Sequence, residues 1–295
     1  MTEMKESRTA LGVAWMRALH QVLDAKPLIL EDEPVVELLG RYYVERASQQ
    51  TERFQSLGSR LLRSHVVLRS RFTEDRLEQS LSRGVEQFVI LGAGYDTFFA
   101  RQPAWARSLR IFEIDQPATQ ADKLARISAA RMTVPANVVF GSVNFETESV
   151  ADGLRRHGVR FDVPTVFSWL GVTMYLTEPA IDATLNTVLE FPQGSEIVLT
   201  FVTPERRDEP AMFPYPSRAE PTAVPPGATI GAMAAAAGEP WITYYEPEEI
   251  ERKLRHAGFS EVFLVTPEIA NDRYFAGRPD ELPPPRKTHL LSATV

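Results

Sequence analysis

The chain has 295 residues, of which 44% are hydrophobic, with no cysteine and a formal net charge of −7 at pH 7. This length is enough for one large globular domain or two small ones. The acidic balance argues against a general nucleic-acid binder, and the lack of cysteine excludes thiol nucleophiles, disulfides and cysteine-ligated zinc. The five histidines are too far apart for a His-x-x-x-His signature, so we expect no metal.

The N-terminal third of the chain is predicted to be helical. Apolar residues recur at helical spacing over 8–24, and further helices are expected over 35–43 and 51–82. The last of these ends near Gly84, because glycine can adopt the left-handed conformation that closes a helix. The first residues lack the apolar core of a signal peptide, and no run reaches membrane-spanning length. We therefore expect a soluble, cytoplasmic protein without a membrane or nucleic-acid partner.

From residue 85 onward, short apolar runs alternate with helical ones. This alternation predicts an α/β fold with a Rossmann-like, mostly parallel, seven-stranded sheet covered by helices on both faces. The last two strands have no helix between them, which favours an antiparallel edge strand. Strands are predicted at 86–91, 109–114, 137–141, 163–169, 195–202, 260–266 and 287–294, and helices at 117–131, 147–157, 178–190 and 246–257.

Residues 203–240 depart from this alternation because they hold eight of the 22 prolines. A core strand–helix unit does not tolerate that density of proline. The segment is either an exposed loop or a lid over a substrate pocket, since long irregular insertions often form lids. We divide one domain into N-terminal helices (1–84), a cofactor-binding core (85–202), a lid insertion (203–245), and a C-terminal helix with edge strands (246–295).

A glycine turn after the first predicted strand indicates a nucleoside-containing ligand. The apolar run 86–91 leads into Gly92, Ala93 and Gly94, and Asp115 ends the next apolar run 21 positions after Gly94. Glycine lets the backbone approach a ligand closely, and an acid at the tip of the next strand can accept hydrogen bonds from ribose hydroxyls. The spacing favours a nucleoside site over a strand–helix turn that binds nothing.

The residues that follow the turn indicate which cofactor is bound. A dinucleotide fold places a third glycine three positions on, where this chain has Thr97, and a Walker loop needs Gly-Lys-Ser or Gly-Lys-Thr. The chain instead has Gly-Tyr-Asp-Thr, which provides no phosphate cradle. S-adenosylmethionine fits this turn because it carries adenosine and an amino-acid tail but no phosphate.

Several ordered motifs carry a family resemblance. They are Ser-Arg-Thr at residues 7–9, Val-Ile-Leu-Gly-Ala-Gly-Tyr-Asp-Thr, Phe-Glu-Ile-Asp-Gln-Pro, Ser-Trp-Leu-Gly-Val-Thr-Met-Tyr-Leu-Thr and Arg-Tyr-Phe-Ala-Gly-Arg. Nearly the whole chain resembles the leucine carboxyl methyltransferase family, above all its bacterial small-molecule branch with polyketide O-methyltransferases. The resemblance implies a class I, S-adenosylmethionine-dependent O-methyltransferase whose acceptor is a small-molecule carboxylate or phenol.

The resemblance also implies cofactor contacts, residue by residue. Arg71 falls where the family has an arginine that pairs with the methionine carboxylate, a role that suits a planar, always charged guanidinium. The glycine turn matches the loop beneath the methionine part, and Asp115 matches the acid that holds the ribose. The cofactor positions are Arg71, Gly92, Ala93, Gly94, Asp115, Asn144, Phe145 and Leu170.

The chain departs from the family pattern in two places among these positions. Asn144 and Phe145 stand where the family usually has Asp-Leu beside adenine, so a charged acceptor is missing. Leu170 stands where the leucine carboxyl members have a glutamate. This second departure argues against a protein C-terminus as the acceptor and for a different small molecule.

The acceptor side of the site is less well defined by the sequence. His20 is the candidate general base. A carboxylate acceptor is already ionised and needs no base, whereas a phenol gains from one, so the lack of a compelling base mildly favours a carboxylate. Other candidates are Asp96 and Tyr95 as remote bases, Arg8 and Arg17 as groups that steer an anion, and Tyr175 as a wall of the pocket.

Two other classes of protein stay open at this point. An NAD-dependent oxidoreductase shares the strand plan, although Thr97 counts against it. A non-catalytic cofactor-binding protein is compatible with the departures at Asn144 and Leu170. Whether the protein binds S-adenosylhomocysteine or NAD distinguishes a methyltransferase from an oxidoreductase. Methyl transfer to any acceptor would exclude a non-catalytic protein.

Overall fold

A seven-stranded sheet runs through the described part of the protein, which in this computed structural model comprises residues 7–50, 54–204 and 230–295. The strands are β1 (Gln87–Leu91), β2 (Arg110–Asp115), β3 (Val138–Ser142), β4 (Thr165–Trp169), β5 (Glu196–Thr200), β6 (Glu261–Val265) and β7 (Leu290–Thr294). Their order across the sheet is β3-β2-β1-β4-β5-β7-β6. Strands β1 to β5 pair in parallel, and β7 runs antiparallel to both β5 and β6. The predicted fold class is confirmed.

Helices cover the sheet and form a cap before it. Those of the cap are α1 (Arg8–Leu23), α2 (Glu33–Leu39), α3 (Arg41–Ser48) and α4 (Leu57–Ser80). Those that follow are α5 (Phe98–Arg101), α6 (Pro117–Ala129), α7 (Val150–Arg156), α8 (Glu178–Leu189), α9 (Ile230–Ala236), α10 (Pro247–Ala257) and α11 (Pro267–Ala270). No helix of the described residues is long and apolar enough to cross a membrane.

The cap differs from the prediction at one point. The single helix expected over 35–43 is two helices, α2 and α3, that meet at Gly40 with a φ of 88°. That backbone conformation ends a helix and is readily adopted only by glycine. Of the predicted lid, residues 205–229 lie outside the described residues, while α9 and the segment after it are described.

The sheet brings several loops to one edge. Because β1, β2, β4 and β5 are parallel, their carboxyl ends meet there, and the strand order reverses between β1 and β4. Open α/β sheets bind ligands at such a switch point. The antiparallel strand β7 begins at this same edge, since Leu290 pairs with Thr200 at the end of β5.

A buried ion cluster fastens α1 to α4. The Arg63 guanidinium donates to the two oxygens of Asp24 at 2.6 and 2.7 Å, and His20 Nδ1 lies 2.7 Å from Asp24 Oδ2. The Arg63 side chain has no exposed surface and that of Asp24 has 4%. Burial acts to raise the pKa of Asp24, but the bonds from His20 and Arg63 outweigh it and lower that pKa overall.

We expect the substitution Arg63→Met to destabilise the protein strongly, because it leaves the buried Asp24 carboxylate without its charged partner. Removing one member of such a pair costs on the order of 3–5 kcal/mol. The urea midpoint of unfolding measures this loss. Arg160→Met is the matched control, since Arg160 pairs with Glu86 and Asp162 on the surface; equal midpoints for the two variants would contradict the prediction.

Candidate functional site

A cavity of about 860 Å³ opens at the carboxyl edge of the sheet, beside the switch point between β1 and β4. Its walls come from α1, α4, the loops after β1 to β5, the segment 238–242 and the residues just before β7. The volume lies within the usual range for ligand pockets in proteins. The cavity is therefore the candidate functional site.

The glycine turn after β1 forms the floor of this cavity. Gly92 and Gly94 have φ values of 69° and 50°, a region that favours glycine. A Cβ atom on Gly92 would overlap the Val172 side chain, and one on Gly94 would lie 3.1 Å from Ala10 Cβ. Both glycines are thus required by backbone conformation and by close packing.

The Asp115 carboxylate joins the tip of β2 to the glycine turn. Its Oδ2 accepts a hydrogen bond from Gly94 N at 2.5 Å, and its Oδ1 accepts one from Gln116 N at 2.7 Å. Burial raises the pKa of Asp115, and these two bonds offset part of that rise. Each carboxylate oxygen has a further lone pair, so the group can accept additional hydrogen bonds from a ligand in the cavity.

The positions predicted beside adenine also lie in the cavity wall. Asn144 Oδ1 accepts a hydrogen bond from Glu146 N at 3.1 Å and so holds the turn after β3, while Phe145 packs against the main core cluster. Leu170, at the end of β4, lines the cavity as well. The structure therefore brings together the following predicted cofactor positions: Gly92, Ala93, Gly94, Asp115, Asn144, Phe145 and Leu170.

The predicted cofactor arginine, Arg71, lies outside this cavity. Its side chain is 47% exposed and pairs with Asp75 at 2.8 Å, next to a separate surface groove. Arg69 lines the cavity instead, where a Cβ atom on Gly171 would lie 2.8 Å from its Nη1 atom. Residues two apart on a helix point about 200° apart, so Arg69 and Arg71 cannot face the same site.

The N-terminal motif and a residue late in the predicted lid insertion form a clasp at the wall of the cavity, made of Ser7, Arg8, Thr9 and Glu239. Ser7 Oγ donates to Glu239 Oε2 at 2.8 Å, and Arg8 N donates to Oε1 at 2.6 Å. Thr9 adds bonds from its amide and hydroxyl. The carboxylate thus caps the N-terminus of α1, where negative charge is stabilised. The exposed Arg8 side chain does not line the cavity, so its predicted steering role has no support.

Arg17 reaches the cavity but is committed to neighbouring protein groups. Its Nη2 donates to Tyr95 O at 2.5 Å and its Nε lies 2.9 Å from Asp32 Oδ2. Its guanidinium therefore supports the loop after the glycine turn. The predicted base His20 is fully buried in the ion cluster of α1 and α4, away from the cavity, so it cannot accept a proton from a ligand there.

Tyr175 lines the cavity as predicted. Burial raises the pKa of its hydroxyl, and hydrogen bonding with Thr9 and Trp241 acts in the opposite direction. A phenol so held stays protonated at neutral pH and can donate a hydrogen bond. Trp169, one position before Leu170, is fully buried in the main core cluster.

Sequence reasoning missed a second set of cavity residues near β5 and β7. They come from α4, from the loop after β5, from the segment after α9 and from the approach to β7, so they are far apart in the chain. The sequence signal that could have indicated His65 and Arg69 is their spacing of four residues, which places both on one face of α4. The main members of this set are Leu61, Leu62, His65, Val66, Arg69, Phe201, Trp241, Arg286, Lys287 and His289.

The chain is similar in sequence to known proteins. The model of the leucine carboxyl methyltransferase family matches residues 10–189, and the chain belongs to that family. YktD of Bacillus subtilis is 30% identical over 99% of both chains, and a Frankia alni relative is 31% identical over 62% of this chain and 63% of its own. Both are assigned by name to the S-adenosyl-L-methionine-dependent methyltransferases.

Two solved structures share the fold at low sequence identity. A DUF574 family protein from Streptomyces avermitilis aligns with a TM-score of 0.52, at 14% identity and over 95% of both chains. A protein from Thermobifida fusca that is named a methyltransferase gives the same TM-score at 16% identity, over 98% of this chain and 94% of its own.

The family match and the similarity to YktD identify the protein as an S-adenosylmethionine-dependent methyltransferase of this family, and its cofactor is S-adenosylmethionine.

We expect Asp115→Asn to raise the dissociation constant for S-adenosylhomocysteine at least tenfold. The asparagine amide places an NH₂ donor where Asp115 has an acceptor oxygen, so one main-chain N–H loses its partner. A bound ribose would also lose a charged acceptor. Isothermal titration calorimetry measures the change. Asp152→Asn, on the exposed face of α7, is the control; equal affinities of Asp115→Asn and wild type would remove Asp115 from the site.

The two arginines of α4 give a second prediction. Arg69→Met should weaken binding of S-adenosylhomocysteine at least tenfold, because a guanidinium that faces the cavity can pair with the amino-acid carboxylate. Arg71→Met should leave the affinity within about twofold, since that side chain points to solvent. Calorimetric titration of both variants with S-adenosylhomocysteine measures the two losses of affinity. A larger loss for Arg71→Met would support Arg71 as the cofactor arginine.

Proposed function

We propose that this protein transfers the methyl group of S-adenosylmethionine to an oxygen atom of a small organic acceptor, a carboxylate or a phenol. The supporting observation is that one cavity has two chemically different halves. The half beside β1 and β2 has a glycine turn and a buried acid. The half beside β5 and β7 has apolar side chains and several cationic ones.

The residues of the first half suit each part of the cofactor. In this proposal Asp115 accepts hydrogen bonds from the ribose hydroxyls, and Asn144 and Phe145, which line the same cavity, contact the adenine. The turn at Gly92 allows the backbone to come close to the methionine part, and Arg69 offers a cation for its carboxylate. The cofactor supplies a methyl group already activated by the positive charge of its sulfonium.

The protein's own residues then act mainly by positioning. The reaction is an in-line displacement, so the walls must hold an acceptor oxygen close to the methyl carbon and opposite the sulfur. Such alignment supplies roughly 7–11 kcal/mol of the barrier. The clasp of Ser7, Arg8, Thr9 and Glu239 holds one wall of the cavity in place.

The second half indicates the kind of acceptor. Leu61, Val66 and Phe201 provide an apolar surface that suits a flat or branched carbon skeleton. Arg286 and Lys287 bring positive charge to the same region, which favours an oxygen that is anionic when it reacts. Leu170, in place of the glutamate of the leucine carboxyl members, supports a small molecule over a protein C-terminus.

The test is turnover with the purified protein. We expect S-adenosylmethionine to be converted to S-adenosylhomocysteine when a panel of aromatic and aliphatic carboxylates and phenols is supplied, and mass spectrometry to show an added methyl group on the acceptor. Reactions without acceptor and with Asp115→Asn are the controls. Binding of NAD in place of S-adenosylhomocysteine in calorimetry, or methylation of nitrogen or carbon only, would contradict the proposal.

A further inference from the structure

His289 lies at the start of β7 in an unusual conformation. Its φ is 46°, in the left-handed region that residues other than glycine rarely adopt, although histidine, asparagine and aspartate do so more often than most. Its carbonyl oxygen accepts a hydrogen bond from Phe201 N at 3.0 Å. Strained backbone of this kind tends to persist where a side chain has a functional position to hold.

The side chain of His289 is held in the acceptor half of the cavity. Its Nε2 atom lies 3.3 Å from Thr203 Oγ1, and its ring centre lies 5.4 Å from that of Phe201. Four strand steps separate β2, which carries Asp115, from β7. At about 4.8 Å a step this distance is roughly 19 Å, so His289 is well separated from the ribose-binding acid.

A second histidine, His65 of α4, lines the same half of the cavity. Burial, and then the positive charges of Arg69 and His289, lower the pKa of His65 to about 3. His65 is therefore neutral at physiological pH and a weak base, suited to hydrogen bonding only. Besides these two histidines, the charged or titratable residues that line the cavity are Arg17, Arg69, Tyr95, Asp96, Asp115, Glu146, Tyr175, Glu239, Arg286 and Lys287.

We propose that His289 is the general base that removes the proton of an acceptor hydroxyl, and that the acceptor is therefore a phenol. This inference rests on the proposed function and narrows it. A carboxylate is already ionised at neutral pH and needs no base, whereas a phenol has a pKa near 10. The cations Arg286 and Lys287, which line the same cavity, stabilise the oxyanion that forms.

The step balances without a further reactant. The hydroxyl proton passes to a ring nitrogen of His289, and an oxygen lone pair forms the new bond to the methyl carbon. The carbon–sulfur bond breaks, and its electron pair stays on sulfur. The products are a methyl ether, S-adenosylhomocysteine and a protonated His289, which returns its proton to solvent.

The decisive variant is His289→Asn, because asparagine tolerates the left-handed conformation and keeps a polar group but cannot act as a base. His65→Asn is the matched control. The acceptors are pairs of the same skeleton, such as 2-naphthol with 2-naphthoate, and S-adenosylhomocysteine release is measured from pH 5 to 9. Affinity for S-adenosylhomocysteine is measured in parallel, since an unchanged value shows an intact cofactor half.

We expect phenols to be methylated and the matched carboxylates not. For His289→Asn, kcat should fall by about 10²-fold or more, with the rising limb between pH 5 and 8 lost and S-adenosylhomocysteine affinity kept. The loss in His65→Asn should be smaller, with the pH limb retained. Methylation of carboxylates alone, or a His289→Asn rate within threefold of wild type on phenols, would overturn this inference and leave the proposed function standing. Failure to bind S-adenosylhomocysteine would overturn both.

Discussion

The hydrogen bonds of the Asp115 carboxylate are the constraint on which the rest of the site depends. They fix the tip of β2 to the glycine turn of β1, and the turn in turn supports α1 through the contact between Gly94 and Ala10. Val172 from the loop after β4 packs against Gly92 on the other side. Four segments distant in sequence thus converge within a few ångströms, at the switch point where a twisted parallel sheet leaves room for a ligand.

A network of buried charges lies beneath this turn. It explains why the chain has Thr97 where a dinucleotide-binding fold has its third glycine. Thr97, which replaces the third glycine, donates its hydroxyl to Asp32, and Asp32 also pairs with Arg17 and Arg101. Arg101 bonds to Glu74, whose pKa burial raises in spite of the arginine. Thr97 therefore anchors the cap to the core. A dinucleotide-binding fold has glycine at this position instead, because its helix packs closely there.

How far the sequence predicts this molecule depends on the range of the interactions involved. The strands were predicted to within a few residues, since β1, β4 and β5 are buried along their whole length and so read as distinct apolar runs. The glycine turn and Asp115 could be placed because their spacing is local. His289 could not be found in this way, because only the antiparallel return of β7 brings it beside β5. The motif match indicated Arg71, but a motif match does not fix the rotation of α4 about its axis, and it is Arg69 that lines the cavity.

The clasp has a practical consequence for how the protein is handled. It draws Ser7 to Glu239 at the wall of the cavity, so a bulky group attached beside Ser7 would lie next to the cavity. Val295, by contrast, donates its amide to Ser195 O at the start of β5, on the far margin of the sheet. An affinity handle or immobilisation linker belongs on that C-terminal side, where it leaves the entrance clear for solutes.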